Sequence, residues 1–257
     1  MIQIKELTFA YSASTPVFDR FTWSIAPGEA WVVLGPSGCG KTTLLYLLAG
    51  LKMPDSGSIS VYGKPLERPR PLTGLILQDY GLLPWATVEE NASLGWNIRK
   101  FYGPDERHAP PGDSVVDITG RVHPWLKRLG ILDLREQFPA QISGGQRQRA
   151  AIARTLSLEP DLLLMDEPFA SLDAPTRESL QDTILSLRTE RALTTIVVTH
   201  ALEEAAVLGQ RILLLAEPPN THPNIIENTG SGKSGFRGSE AYHDVCNELR
   251  SAMGAEP

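Results

Sequence analysis

Two periodicities of apolar and polar positions alternate along the chain, and the order in which they change predicts a sheet-centred molecule with a helical insertion. Apolar residues recur at nearly every second position through Ile2, Ile4, Leu7 and Phe9, and again through Val17, Phe18, Phe21, Trp23 and Ile25. A period of two predicts a pair of antiparallel strands joined by the polar turn 10–16. Ser58 to Tyr62 alternates in the same way and stops at Gly63. Residues 30–34, 75–77, 162–165 and 212–215 are instead continuous apolar runs, and 194–199 is β-branched throughout its core. Such runs fit strands buried on both faces, as in a parallel sheet. Helical patterning follows several of them, over 44–49, 150–154, 176–191 and 201–206. Between residue 82 and residue 148 the strand signals vanish: Thr87 caps a helix with Glu89 and Glu90 in its first turn, the proline-rich stretch 103–124 predicts an irregular polar connection, and a helix resumes at Trp125 and closes at Gly130. Beyond Ala216 the chain is rich in Gly, Pro and Ser to about 238 and weakly helical over 240–253, a tail expected to be peripheral to any chemistry.

The run 30–34 feeds Gly35-Pro36-Ser37-Gly38-Cys39-Gly40-Lys41-Thr42-Thr43, which fits G-x-x-x-x-G-K-[ST] without a mismatch, and the helix over 44–49 follows. Strand, glycine loop and helix are what phosphate binding needs. The glycines let successive backbone N–H groups point inward, and the helix presents its positive end to the same place. Lys41 is expected to reach the β and γ phosphates and the Thr42 hydroxyl to ligate Mg²⁺. Cys39, close to a helix N-terminus, is expected to have a lowered thiol pKa and to be alkylated unless nucleotide protects it; the plainer alternative is a small side chain that fits.

Further polar groups stand at the carboxyl ends of predicted strands, where open α/β sheets bind ligands. Gln78 follows 75–77, with a glutamine that merely starts a loop as the alternative. Asp166 and Glu167 follow 162–165; the first is placed to hold Mg²⁺ and the second to activate water as a general base. His200 follows 194–199, though a packed strand-end histidine reads the same way. Tyr11, in the turn 10–16, is either a platform for an adenine ring or a tyrosine lying on a strand edge. Ser143-Gly144-Gly145-Gln146 precedes the helix at 150–154 and predicts a second anion-accepting helix end, or only a cap and turn.

Composition narrows the picture further. The chain has 257 residues, 42% of them apolar, with a net charge of −6 and two cysteines. That is enough for one large or two small domains with a substantial core. The acidic balance argues against broad electrostatic contact with nucleic acid or anionic lipid, and two cysteines make neither a disulfide framework nor a metal-ligand pattern. No apolar run reaches the roughly 20 residues of a membrane span, and Met1 to Glu6 carries no secretion-signal pattern, so a cytosolic chain held at a membrane by another protein is expected.

Taken in order, Tyr11, the glycine loop 35–43, Gln78, Ile142-Ser143-Gly144-Gly145-Gln146, Leu162 to Pro168, Ser171-Leu172-Asp173 and His200 resemble the nucleotide-binding subunit of an ABC transporter over about residues 2–217. Ile142 stands where the family more often has leucine. The resemblance implies an α/β fold with a P-loop NTPase (RecA-like) core, an antiparallel β subdomain and an inserted α-helical subdomain: an ATP-binding domain over 1–217, with core and β subdomain at 1–84 and 149–217 and the helical subdomain at about 85–148, then a tail over 218–257. It implies that Tyr11 stacks adenine, that residues 35–43 hold the ATP phosphates, that Thr42, Gln78 and Asp166 face Mg²⁺, that Glu167 is the catalytic base, that His200 grips the γ-phosphate, and that Asp173 lines a dimer interface. Residues 143–146 would close on the ATP of a second copy, giving an ATP-sandwich homodimer. Partners would be two transmembrane permease subunits and, indirectly, an extracytoplasmic solute-binding protein, with no nucleic acid; the chain would sit at the cytoplasmic face of the inner membrane. Gln78 to Trp85 and Asp166 to Asp173 look most like importers of nitrate, sulfonate or taurine. Rival readings are a soluble, non-transport ABC ATPase, which would carry a second cassette, a coiled-coil insertion or a basic face, and a kinase-like P-loop enzyme, which has no reason to carry Ser143 to Gln146.

Overall fold

The structure is a computed structural model that describes all residues except 13–14, 113–116, 171 and 255–257. Ser171, two residues of the turn 10–16 and four of the connection 103–124 thus lie outside the described residues. The chain divides into two compact units: Met1–Pro69 with Met165–Glu167 and Gln181–Pro257, and Arg70–Leu164 with Pro168–Leu180.

The first unit contains an antiparallel sheet of β1 (Ile2–Phe9), β2 (Phe18–Ile25), β4 (Ser56–Val61) and β5 (Lys64–Pro65), in the order β2-β1-β4-β5. Its register pairs buried with buried: Ile2 faces Ile25, Ile4 faces Trp23 and Phe9 faces Phe18. The break in alternation between Ile4 and Leu7 is a register shift at which Glu6 takes φ 47°. The extra residue returns Leu7 and Phe9 to the core face that a one-residue slip would otherwise turn to solvent.

The same unit holds β3 (Ala30–Leu34), parallel to both β8 (Thr194–Thr199) and β9 (Arg211–Leu214). Every residue of β3 and β8 is buried, which is why neither alternates. The last residues of β7 (Leu162–Asp166) also belong here, and the Glu167 N–H donates to the Val198 carbonyl at 2.9 Å. Helix α1 (Lys41–Leu48) begins at Lys41, earlier than its apolar pattern suggests, and α6 (Leu202–Leu208) follows β8. In the tail the helix expected over 240–253 is present, and the Gly-, Pro- and Ser-rich stretch before it holds a strand that its composition did not predict. β10 (Asn224–Glu227) pairs antiparallel with β9, and α7 (Glu240–Ala252), capped by Ser239, packs on α6. Ile226 and Phe236 supply the buried apolar contacts that a polar, glycine-rich composition conceals.

The second unit contains β6 (Thr73–Ile76), α2 (Val88–Tyr102), α3 (Ile118–Arg128), α4 (Gly144–Leu156) and the first residues of both β7 and α5 (Ala174–Arg191). Thr87 caps α2 as expected, through a reciprocal pair with Glu90. Helix α3 starts seven residues before the expected Trp125 and carries Pro124 inside it. Burial of Val122, Trp125, Leu126 and Leu129 on one side outweighs the hydrogen bond that Pro124 cannot make. Trp96 of α2 fixes its packing on α4 by donating to the Ser157 carbonyl at 3.1 Å.

Candidate functional site

The first unit gathers Tyr11, the loop 35–43, Asp166, Glu167 and His200; Gln78 and Ser143 to Gln146 belong to the second unit. At the loop, backbone shape is fixed by what lies behind it. A Cβ on Gly35 would come within 2.6 Å of the Leu215 carbonyl oxygen and 2.7 Å of Cys39 Sγ, and Gly40 has φ 107° with Val17 at 2.5 Å from the same imagined atom. Only glycine fits either place. The loop curls tightly enough that Lys41 Nζ donates to the carbonyls of Gly35 and Pro36 at 2.7 and 2.8 Å. These contacts hold the ammonium in the concavity of the loop, where a phosphate would meet its remaining donor.

Around this cradle, Tyr11 and Thr43 share a hydrogen bond of 2.9 Å between their hydroxyls. The Tyr11 ring is 62% exposed, meets Phe9 edge-on and has Lys52 Nζ 4.7 Å from its centroid. A largely exposed aromatic ring therefore stands beside the phosphate loop, tied to it through Thr43.

Asp166 lies at the end of β7, buried, and accepts from the Thr42 hydroxyl at 3.2 Å. Burial pushes its carboxyl above the ordinary value, the Thr42 hydrogen bond opposes that, and the neighbouring Glu167 charge adds to it. A hydroxyl and a carboxylate are two hard oxygen donors, and among the described residues no group of three or more His, Cys, Asp or Glu side chains gathers to form an all-protein metal cage. That donor set suits Mg²⁺, which keeps waters and takes substrate phosphates as its other ligands.

Glu167 follows with φ 44°, an uncommon region for a side chain of this kind. Its Oε1 is 3.1 Å from His200 Nδ1. The carboxylate is mostly covered while the imidazole is mostly exposed, so the histidine's Nε2 is the ring nitrogen left for a ligand.

Cys39 overturns its expectation. It is 1% exposed, and burial pushes its thiol above the ordinary value against the lowering effect of the Lys41 charge. A helix end lowers a thiol pKa only where the thiolate stays solvated, so the small-side-chain alternative holds.

In the second unit, Ser143 Oγ accepts from Gln146 N–H at 3.3 Å and Gln146 Oε1 accepts from Ser143 N–H at 2.8 Å, a reciprocal cap on α4. The Gly144 and Gly145 N–H groups then lie in an open first helical turn, which has no intrahelical acceptors for them. Gln78 is exposed, two residues past the end of β6. Asp173 Oδ1 accepts from Thr176 N–H at 3.0 Å, which lowers its pKa and caps the start of α5.

Sequence reasoning missed Arg154. From α4 its guanidinium donates to the Gly81 and Tyr80 carbonyls, both at 2.7 Å, and so holds the turn that follows Gln78, where both residues have positive φ. An arginine on the polar side of a predicted helix carries no local signal of such a long-range contact.

The ABC transporter family profile matches residues 18–170. The chain is 43% identical over 195 residues to the taurine import ATP-binding protein TauB of Pseudomonas aeruginosa, covering 76% of this chain and 70% of that protein. It is 38% identical over 219 residues to the protein of the same name from Escherichia coli K12, covering 85% and 81%. Among solved structures it resembles dimeric MJ0796, a bacterial ABC transporter cassette, with a TM-score of 0.75 and 27% identity over 88% of this chain and 98% of that one. A structure of the same cassette bound to ADP and phosphate gives a TM-score of 0.74 at 26% identity, again over 88% and 98%. The chain belongs to the ABC transporter family, as an ATP-binding, ATP-hydrolysing subunit.

Proposed function

We propose that the chain powers import of a small solute of the nitrate, sulfonate or taurine class, working at the cytoplasmic face of the cell membrane through two permease subunits and, indirectly, an extracytoplasmic solute-binding protein. Likeness to the taurine import proteins supports the solute class and the transporter partners, and no helix among the described residues is long and apolar enough to cross a membrane. Trp85, 72% exposed and a few residues past Gln78, is the kind of apolar anchor a permease would take.

The observation that carries the mechanism is the Glu167 carboxylate held against His200 next to the Lys41 and Asp166 cluster. Residues 35–43 hold the ATP phosphates and Tyr11 stacks the adenine. Thr42 and Asp166 would hold Mg²⁺, which would neutralise charge on the phosphates. Glu167 takes a proton from water as the water oxygen attacks the γ-phosphorus, and the bond to the ADP oxygen breaks. His200 steadies the γ-phosphate through Nε2. Ser143 to Gln146 of a second copy close over the same nucleotide, so that ATP joins two chains and hydrolysis parts them.

Glu167→Gln keeps the shape and the cradle but removes the base. ATP affinity is expected within about twofold of wild type, while turnover falls by about 10²–10⁴-fold. Steady-state hydrolysis near the wild-type rate would contradict the assignment. Co-purification from a detergent extract tests the transport role, since a polytopic membrane protein is expected to come down with the chain.

A further inference from the structure

The segment after β9 reaches back to the phosphate loop through one buried side chain. Asn220 is 6% exposed. Its Nδ2 donates to the Cys39 carbonyl at 3.0 Å and to the Val17 carbonyl at 3.3 Å, and its Oδ1 accepts from the Ala216 N–H at 3.0 Å. Its backbone closes the same knot, with N–H to the Val17 carbonyl at 3.0 Å and carbonyl to the Asp19 N–H at 3.0 Å. One residue therefore ties together the entry to β2, the end of β9 and the peptide between Cys39 and Gly40.

That peptide is the hinge of the cradle. Cys39 precedes Gly40, whose φ of 107° turns the loop into α1 and brings Lys41 back over its carbonyls. If the Cys39–Gly40 peptide rotated, the N–H groups of Gly40 and Lys41 would leave the phosphates. Val17 and Leu215, which leave no room for a side chain at Gly40 and Gly35, belong to two of the same segments. Asn220 lies outside the stretch matched to the ABC transporter family, residues 18–170.

We propose that Asn220 is a positioning residue for nucleotide binding: by holding the Cys39 carbonyl it fixes the phosphate-binding face of the loop, and it makes the C-terminal segment part of the nucleotide site. The inference rests on residues 35–43 being the phosphate cradle.

A matched control exists in the same segment. Asn228 is 1% exposed, and its Nδ2 donates to the Ala206 and Gly209 carbonyls at 2.7 and 2.8 Å while its Oδ1 accepts from the Gly230 N–H at 3.2 Å. It makes the same kind of buried clip away from the loop. The test compares Asn220→Asp with Asn228→Asp, each keeping the acceptor and turning two donor contacts into carboxylate-to-carbonyl repulsion. Both should lower the thermal midpoint of the full-length chain, but only Asn220→Asp should raise the ADP dissociation constant, by about tenfold. An ADP affinity for Asn220→Asp within twofold of wild type, or an equal loss in both variants, would overturn the proposal. If Asn220→Asp does not fold, the wild-type chain decides: the Asn220 side-chain amide resonances should shift on adding ADP while those of Asn228 stay, and unmoved Asn220 signals overturn the proposal. Lys41→Ala is measured alongside. Normal ADP binding by that variant would remove the cradle reading itself, whereas its loss leaves a negative Asn220 result counting against Asn220 alone.

Discussion

Asp166 is a carboxylate kept buried at the end of β7 against its own solvation. Its pKa is raised chiefly by burial, so the ionised carboxylate is less favourable folded than unfolded. The sign follows: relative to neutral pH this group's stabilisation is fully present below its ordinary unfolded value and is lost as pH rises through the raised folded value. At pH 7 without nucleotide or metal, Asp166→Asn should therefore melt higher than wild type by a few degrees, since 1 kcal/mol moves the midpoint by about 2–4 °C in a chain of this size. The gap should close as pH falls through the raised folded pKa to the ordinary unfolded value, and a lower midpoint than wild type at pH 7 would contradict this. On the proposed role at Mg²⁺, the same variant should also lose Mg²⁺-dependent hydrolysis. Cys39 obeys the same physics with the opposite lesson for sequence reading: the local rule about helix ends was legible, but the close approach of Gly35 to the thiol was not, and burial prevailed.

At the scale of elements, much of the site was written in consecutive residues. Strand, glycine loop and helix over 30–48 form a local unit, the cap from Ser143 to Gln146 spans four residues, and the acidic pair sits at the end of an apolar run that needs no distant information to be recognised. What sequence could not supply were contacts between residues far apart in the chain with no periodic signature. Arg154 and the turn at Tyr80–Gly81 are 73 residues or more apart, and Asn220 and Cys39 are 181 apart. Pro124 misled for a related reason, because its local preference was outweighed by the buried face of α3. Arg154 also supports a prediction at this scale. Its two parallel donations join α4, the helix that begins at the Ser143 cap, to the turn after Gln78, and burial lowers its pKa because the guanidinium is desolvated. Arg154→Lys keeps a charge but offers a point donor where a fork reaches two carbonyls. ADP affinity of the isolated chain should remain within about twofold, because no phosphate contact is touched, whereas ATPase activity in membranes with the permease should drop about tenfold or more through loss of a fixed Gln78 turn. Equal loss of ADP affinity and of activity would show that Arg154 acts on the fold as a whole.

At the scale of the whole molecule, the decisive question is whether one chain contains a complete site. Lys41 and Glu167 lie in one unit and Ser143 to Gln146 in the other, and the proposed sandwich takes the second set from a second copy. A symmetric dimer then has two equivalent sites, each built from both chains. Lys41→Ala and Ser143→Arg should each abolish hydrolysis alone, the first by removing the phosphate contact and the second by placing a long cation where the other chain's nucleotide must fit. Loss of the Ser143 cap costs about 1 kcal/mol, which a folded domain of this size tolerates. Mixed together, half of the random dimers pair one variant with the other, and one of the two sites in such a dimer joins the intact loop of the Ser143→Arg chain to the intact cap of the Lys41→Ala chain. Hydrolysis should therefore return to at most about a quarter of the wild-type rate if the sites act independently. A site complete within one chain gives no recovery at any mixing ratio, because each copy would carry its own defect.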